Sequence, residues 1–134
     1  MTTRTIKALA TGVAVWVAAT ALLIVLGDTL VPAAGTLPVP LFVVAAAVAA
    51  CVGAWQLSIL FQRAHDTTLT TRLLFGVCVT GIGLLLDGIL IGAFGAHYPR
   101  LDQARQGVLS TGLYVAYAGL LAGALIPAQR SHTE

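Results

Sequence analysis

Charged side chains are scarce in this chain. Of its 134 residues, 9% are Asp, Glu, Lys or Arg, whereas 58% are hydrophobic. Soluble domains carry about 25% charged residues, so this composition cannot cover a domain with a water-facing surface. The mean hydropathy of +0.94 leads to the same conclusion. The sequence therefore predicts a membrane protein, and its small net charge of +2 gives no indication of nucleic-acid binding.

Cysteine and catalytic motifs are also lacking. Cys51 and Cys78 both fall in apolar stretches, where cysteine behaves as a small apolar residue, and two cysteines make no disulfide framework. His65, His97 and His132 lie in separate polar segments, so no pair has metal-ligand spacing on a helix. There is no nucleophile elbow, Walker loop, dinucleotide-binding glycine motif or CxxC. An enzyme is disfavoured, and no cofactor or metal is predicted.

Four long apolar stretches fill most of the chain. A bilayer span needs about 20 mostly apolar residues, and the stretches predict helices over residues 5–27, 40–61, 72–96 and 105–126. The first apolar run is longer than the roughly 7–15 residues of a signal peptide, so we expect it to remain as a helix. Short loops make successive helices antiparallel neighbours. The predicted fold is all-α, a single transmembrane domain over residues 1–134 that forms an up-down-up-down four-helix bundle.

Basic residues predict the orientation of this bundle. Five of them lie before helix 1, around loop 2 or after helix 4, namely Arg4, Lys7, Arg63, Arg72 and Arg130. Only Arg100 and Arg105 lie in loop 3, and loop 1 has none. Lys and Arg concentrate on the cytoplasmic side of membrane proteins, so both termini are predicted to be cytoplasmic.

The loops contain clear helix-start and helix-stop residues. Loop 1, residues 28–40, holds three of the five prolines and should be stiff, with Pro40 as the first residue of helix 2. The Asp and Thr residues of loop 2 can cap helix 3. In loop 3, Pro99 ends helix 3 and Asp102 caps helix 4.

Small residues recur at helical spacing in three of the spans. Membrane helices approach closely where such residues face each other. The stripes are Ala45, Ala49 and Gly53 in helix 2, Gly88 and Gly92 in helix 3, and Gly112, Ala116, Gly119 and Gly123 in helix 4. Packing within the chain is the simpler use for them. The alternative is a homo-oligomer through Gly88, Gly92, Gly112, Gly119 and Gly123.

Asp87 is the one charged residue deep within a span. A carboxylate there costs roughly 2.5–3.5 kcal/mol to insert, and such residues are functional-site candidates. Folding helices 3 and 4 about loop 3 places it near Tyr114 and Tyr117, so either hydroxyl could donate a hydrogen bond to it. Thr80 lies on the same face of helix 3. The predicted ligand- or proton-binding residues are Asp87, Tyr114, Tyr117 and Thr80.

Two interpretations of Asp87 remain open. It is a carboxylate that binds and releases a proton or cation, as transporters require, or a neutral acid that joins helix 3 to helix 4 through a tyrosine. Trp16, central in helix 1, does not fit an aromatic belt at the membrane interface. It either lines a cavity or fills core volume, and filling core volume is favoured. The function favoured is a proton- or cation-coupled transporter-like oligomer. The alternatives are a non-catalytic accessory or scaffolding subunit, and an intramembrane enzyme acting on a lipid or isoprenoid.

Two resemblances bear on these alternatives. In size the chain resembles the small multidrug resistance transporters, which are short, four-helix and dimeric, but their coupling glutamate lies in the first helix, where this chain has no acid before Asp28. Nothing is transferred from them. Residues 84–127 resemble a family of short bacterial four-span membrane proteins of unknown function. In that family a helix-3 Asp precedes an aromatic-Pro turn, here Tyr98-Pro99, and an aromatic fourth helix. This resemblance implies a bacterial cytoplasmic (inner) membrane protein and brings no activity.

Overall fold

Four α-helices make up the structure. The computed structural model describes residues 2–94 and 101–127, except for the side chains of 91–94. The helices are α1 (Thr3–Leu30), α2 (Pro38–Ala64), α3 (Leu69–Phe94) and α4 (Gln103–Leu125). All four are long and apolar enough to cross a membrane. The prediction of an all-α chain with four potential spans is confirmed.

The helix ends differ from the predicted ends by one to three residues. Helix α1 continues through Asp28 to Leu30, so Asp28 belongs to its last turn and not to loop 1. Helix α2 begins at Pro38, which corrects the assignment of Pro40 as its first residue. Proline suits this position because the first helical N–H groups have no partner within the helix.

Two of the predicted caps are present. Asp102 accepts a hydrogen bond from the backbone N–H of Arg105 at 2.8 Å and caps α4. The Thr68 hydroxyl accepts from the backbone N–H of Thr71 at 3.3 Å in the first turn of α3. The predicted end of helix 3 at residue 96 and the turn containing Pro99 lie outside the described residues, as do His97, Tyr98 and Arg100. The same holds for the tail from residue 128 onward.

The helices do not pack in chain order. Helix α2 packs most extensively on α4, and α1 packs on α3, while α3 also contacts α4 and, less, α2. Two buried apolar clusters lie at opposite ends. One contains Ala8, Phe61, Phe75, Val79 and Ala124. The other contains Val31, Leu101, Val108 and Leu109. The starts of α1 and α3 therefore lie near the ends of α2 and α4.

Glycines of α4 allow its close approach to α2. A Cβ atom on Gly119 would overlap the carbonyl oxygen of Ala47, and one on Gly123 would overlap that of Cys51. Gly112 faces the ring of Phe42 in the same way. The glycine stripe of α4 thus packs within the chain. Its partner face on α2 contains Ala47 and Cys51, so the prediction that the helix 2 stripe packs within the chain is wrong. Ala45 and Ala49 are exposed, and a Cβ on Gly53 would meet nothing within 4 Å.

Side chains from α2 and α3 bind the last carbonyl groups of α4. The Ser58 hydroxyl donates to the carbonyl of Ala124 at 2.8 Å, and the Arg72 guanidinium donates to that of Leu125 at 2.7 Å. The buried Gln62 amide donates to Ser58 Oγ at 3.0 Å. The final carbonyls of a helix have no partner inside it, and an unpaired one in an apolar medium costs several kcal/mol. This network satisfies them where α4 ends.

The outer surface is largely apolar. Large aliphatic side chains such as Leu41, Leu60 and Val77 are 73%, 60% and 60% exposed. Water would penalise such a surface, whereas lipid does not. Cys51 and Cys78 are both free thiols.

Candidate functional site

Asp87 accepts two hydrogen bonds from aromatic side chains on two other helices. Trp16 of α1 donates its indole Nε1–H to Oδ1 at 2.6 Å. Tyr117 of α4 donates its hydroxyl to Oδ2 at 2.5 Å. Both bonds are partly buried. Asp87 on α3 therefore joins α1 to α4.

Local sequence explains why these side chains meet. A Cβ on Gly12 would lie 3.0 Å from the Cα of Val79, so α1 and α3 are in close contact there. Trp16 is one helical turn beyond Gly12, on the face that this contact turns toward α3. Gly83 has the same effect on the other side, because a Cβ there would lie 2.8 Å from Tyr117 Cε1. Gly12 thus allows α1 to approach α3, and Gly83 leaves room for the ring of Tyr117 beside Asp87.

No protein cation balances the charge of Asp87 in the parts of the chain that the structure describes. The ion pairs found there join Arg4 to Asp66 at 2.6 Å and Arg105 to Asp102 at 3.9 Å, both near helix ends. Buried carboxylates are ordinarily paired with a cation or neutralised by a proton. The Asp87 site thus supplies hydrogen bonds for a carboxylate, but its negative charge must be neutralised by a proton or by a cation from outside the chain.

The two carboxylate oxygens are not equivalent. An indole N–H can only donate, so Oδ1 accepts from Trp16 whether or not Asp87 is protonated. A tyrosine hydroxyl can donate or accept. A proton on Asp87 is therefore best carried by Oδ2, with the bond to Tyr117 reversing its direction.

Asp87 lies in the wall of a cavity of about 200 Å³. Residues of α1, α3 and α4 line it, together with Ala50 of α2. A second depression of about 310 Å³ lies between α3 and α4 and reaches Ser110 and Tyr114. Asp87, Leu113 and Tyr117 border both spaces. The hydrogen-bonded pair of Asp87 and Tyr117 therefore borders two separate spaces.

The four predicted site residues have different surroundings. Tyr117 is bonded to Asp87, whereas Tyr114 is 72% exposed and only lines the second depression. The Thr80 hydroxyl is buried, and no hydrogen-bond partner is found for it among the described residues. Trp16 was expected to fill core volume, which is wrong, because it is half-buried, lines the cavity and bonds to Asp87.

A second group of hydrogen bonds, centred on the carboxylate of Asp66, lies outside the spans between α2 and α3. Asp66 accepts hydrogen bonds from the Thr68 hydroxyl at 2.5 Å, from the Thr71 hydroxyl, and from Arg4 at 2.6 Å. The hydrogen bonds from Thr68 and Thr71, with a smaller contribution from Arg4, hold the pKa of Asp66 well below its ordinary value. Asp66 thus remains ionised and ties the start of α1 to the loop between α2 and α3.

Comparison with known proteins gives no further assignment. No protein-family model matches this chain, and no curated protein or solved structure matches it significantly. The resemblance of residues 84–127 to short bacterial four-span proteins remains an expectation. Inference about function therefore depends on the geometry at Asp87.

Proposed function

We propose that this chain is a small multi-pass transporter-like protein of the bacterial cytoplasmic (inner) membrane, in which Asp87 binds and releases a proton or another cation. The observation that carries the proposal is a carboxylate within a span, bonded to Trp16 and Tyr117 and bordering two cavities, with no cation paired to it among the described residues. Ionisable residues at this depth mark ion and substrate pathways.

The proposed topology is an antiparallel up-down-up-down bundle with both termini in the cytoplasm. Two observations support it. The starts of α1 and α3 lie near the ends of α2 and α4, and Arg4, Lys7, Arg63 and Arg72 lie toward that end of the bundle. Positive residues favour the cytoplasmic side.

The proposed cycle uses the reversible bond at Oδ2. In the empty form Asp87 is ionised and accepts from Trp16 and Tyr117. When a proton arrives, Oδ2 carries it and donates to Tyr117, whose own hydroxyl hydrogen turns to another acceptor. When another cation arrives, the carboxylate keeps its charge and faces it. Carriers need a central site that can be reached alternately from two sides, and the two cavities that share Asp87 suit such a path.

The proposed oligomer uses a different face from the one that packs α4 on α2. Gly112, Gly119 and Gly123 contact residues of α2 within the chain. Gly88 is exposed, and a Cβ on it would meet nothing within 4 Å. The side of α3 that contains Gly88 and Gly92 is therefore the proposed contact between copies.

Infrared difference spectroscopy on the purified protein tests whether Asp87 exchanges a proton. Spectra recorded over a series of pH values should show a carboxylic-acid band that appears as a proton binds to Asp87. Asp87→Asn should remove this band. Asp28→Asn, which deletes an exposed carboxylate near the end of α1, should leave it unchanged. Identical spectra for wild type and Asp87→Asn would show that Asp87 keeps one protonation state and is a structural acid.

A further inference from the structure

We propose that the cavity beside Asp87 binds a compact organic cation, with an ammonium group and an apolar body of about one ring, in preference to a metal ion. This inference rests on the proposed cation-binding role of Asp87 and names the class of its ligand. The cavity's walls, its polar groups and its size each contribute to it.

The walls of the cavity are almost entirely apolar. Of the side chains that line it, those with polar atoms are Trp16, Thr20, Asp87 and Tyr117. The others are aliphatic residues or glycines, including Val15, Leu23, Val79, Leu113 and Leu120. Ligand sites in proteins are typically such apolar clefts with a few placed polar groups. A ligand that fills this space must therefore present mainly apolar surface.

The polar groups do not suit a metal ion. Sodium-like, magnesium and calcium ions are held by about six or more oxygen atoms. Here the carboxylate of Asp87 is the single anionic group on the walls, and each of its oxygens already accepts a hydrogen bond. In the part of the chain that the structure describes, no group of three or more His, Cys, Asp or Glu side chains could hold a metal.

The same groups do suit an ammonium ion. A single carboxylate balances one positive charge, and no guanidinium or lysine competes for it among the described residues. Trp16 and Tyr117 both line the cavity next to that carboxylate. Aromatic rings attract quaternary ammonium groups, most strongly where water is excluded. Such a group needs no hydrogen-bond acceptors, so it can replace water beside Asp87 without losing bonds.

The volume restricts the body of the ligand. An apolar cavity of about 150 Å³ in another protein holds one benzene molecule, and this cavity measures about 200 Å³. Small side chains on α1, α2 and α4, namely Ala19, Ala50 and Ala116, keep it open. The space thus accommodates roughly one ring together with a small ammonium group.

Benzyltrimethylammonium and its neutral carbon counterpart, neopentylbenzene, test the requirement for charge. They have nearly the same shape and differ in one positive charge. The protein contains two tryptophans, so Trp55→Phe in lipid nanodiscs leaves the fluorescence of Trp16 as the readout. We expect benzyltrimethylammonium to bind at least about tenfold more tightly than neopentylbenzene, because cation–π and carboxylate contacts add to apolar contact. Sodium and magnesium chloride at matched ionic strength should not displace it.

Two leucine substitutions test the location. Ala116→Leu places a larger side chain in the cavity and should weaken binding of benzyltrimethylammonium at least about tenfold. Ala118→Leu, the same change at an exposed position of α4, should leave binding unchanged. Asp87→Asn should abolish the preference for the charged probe and leave weak, equal binding of both probes.

The outcomes separate this inference from the proposed function. Equal binding of the charged and neutral probes to wild type, displacement by sodium or magnesium, or undiminished binding to Ala116→Leu would each overturn the assignment of an organic cation. Absence of benzyltrimethylammonium binding in a protein whose Asp87 still exchanges a proton would overturn it and leave the proton site standing. Absence of both would overturn the proposed function as well.

Discussion

Replacing Trp16 with Phe removes one hydrogen-bond donor from Asp87 while an aromatic ring stays in place. The bond to be lost is 2.6 Å long and partly buried. Hydrogen bonds to charged groups contribute about 1.5–3 kcal/mol, whereas those between neutral groups of membrane helices average about 0.6 kcal/mol. The free energy of unfolding should therefore fall by about 1.5 kcal/mol or more if Asp87 is a carboxylate. A fall of about 0.6 kcal/mol would indicate a neutral acid.

A double-mutant cycle isolates this bond from the change in ring size. Unfolding of wild type, Trp16→Phe, Asp87→Asn and the double variant would be measured in bicelles, above pH 7. Trp55→Phe is the matched control, because no hydrogen-bond partner is found for Trp55 Nε1 among the described residues. It should show no coupling to Asp87→Asn. A coupling between Trp16 and Asp87 below about 0.3 kcal/mol, within the usual additivity error, would refute the hydrogen bond that organises the proposed site.

Three further predictions follow from local geometry. Gly83→Ala should push the ring of Tyr117 away from Asp87, because its Cβ would lie 2.8 Å from Cε1, and the infrared band of Asp87 should shift. Gly123→Ala should destabilise the protein by about 1–3 kcal/mol, the usual cost of overpacking, because its Cβ would overlap the carbonyl of Cys51. Asp66→Asn should remove a loss of stability that wild type shows on acidification. The pKa of Asp66 is lowered in the folded protein, so its contribution to stability is fully present above the unfolded pKa of about 4 and is lost progressively as the pH falls below that value.

Matched variants check each of these predictions. Gly81→Ala and Gly53→Ala add the same methyl group where nothing lies within 4 Å. Gly81→Ala should leave the infrared band of Asp87 unchanged. Gly53→Ala should leave the free energy of unfolding unchanged or raise it slightly. An effect of Gly81→Ala equal to that of Gly83→Ala would contradict the role given to Tyr117. An equal loss of stability on acidification in wild type and Asp66→Asn would contradict the role given to Asp66.

The spans and part of the site were predictable from sequence because the signals are local. An uncharged apolar run of bilayer length has few other stable solutions in an all-α chain, and Asp102 precedes a helix in a position where its side chain caps it. The bond between Asp87 and Tyr117 was one of two alternatives, because loop 3 fixes the level of α4 only to within about a turn.

Trp16 was missed because its role depends on which helices pack together. A short first loop suggested that α1 lies against α2, yet α1 packs on α3. Close contact at Gly12 determines this pairing, and no local pattern distinguishes it from the many other glycines of the chain. The packing face of α2 was predicted wrongly for a related reason. Ala and Gly are so frequent that several faces of the helix offer small residues, and the partner helix determines which face is used.

The hydrogen bonds at the end of α4 have a consequence for biosynthesis. Helices α2 and α3 leave the ribosome before α4 exists, so Ser58 and Arg72 enter the membrane without the carbonyl groups that they bind in the finished protein. A chain that stops short of Ala124 would keep these polar side chains facing lipid, a state that cellular proteolysis removes readily. The end of α4 thus supplies the partners that these two side chains need within the membrane.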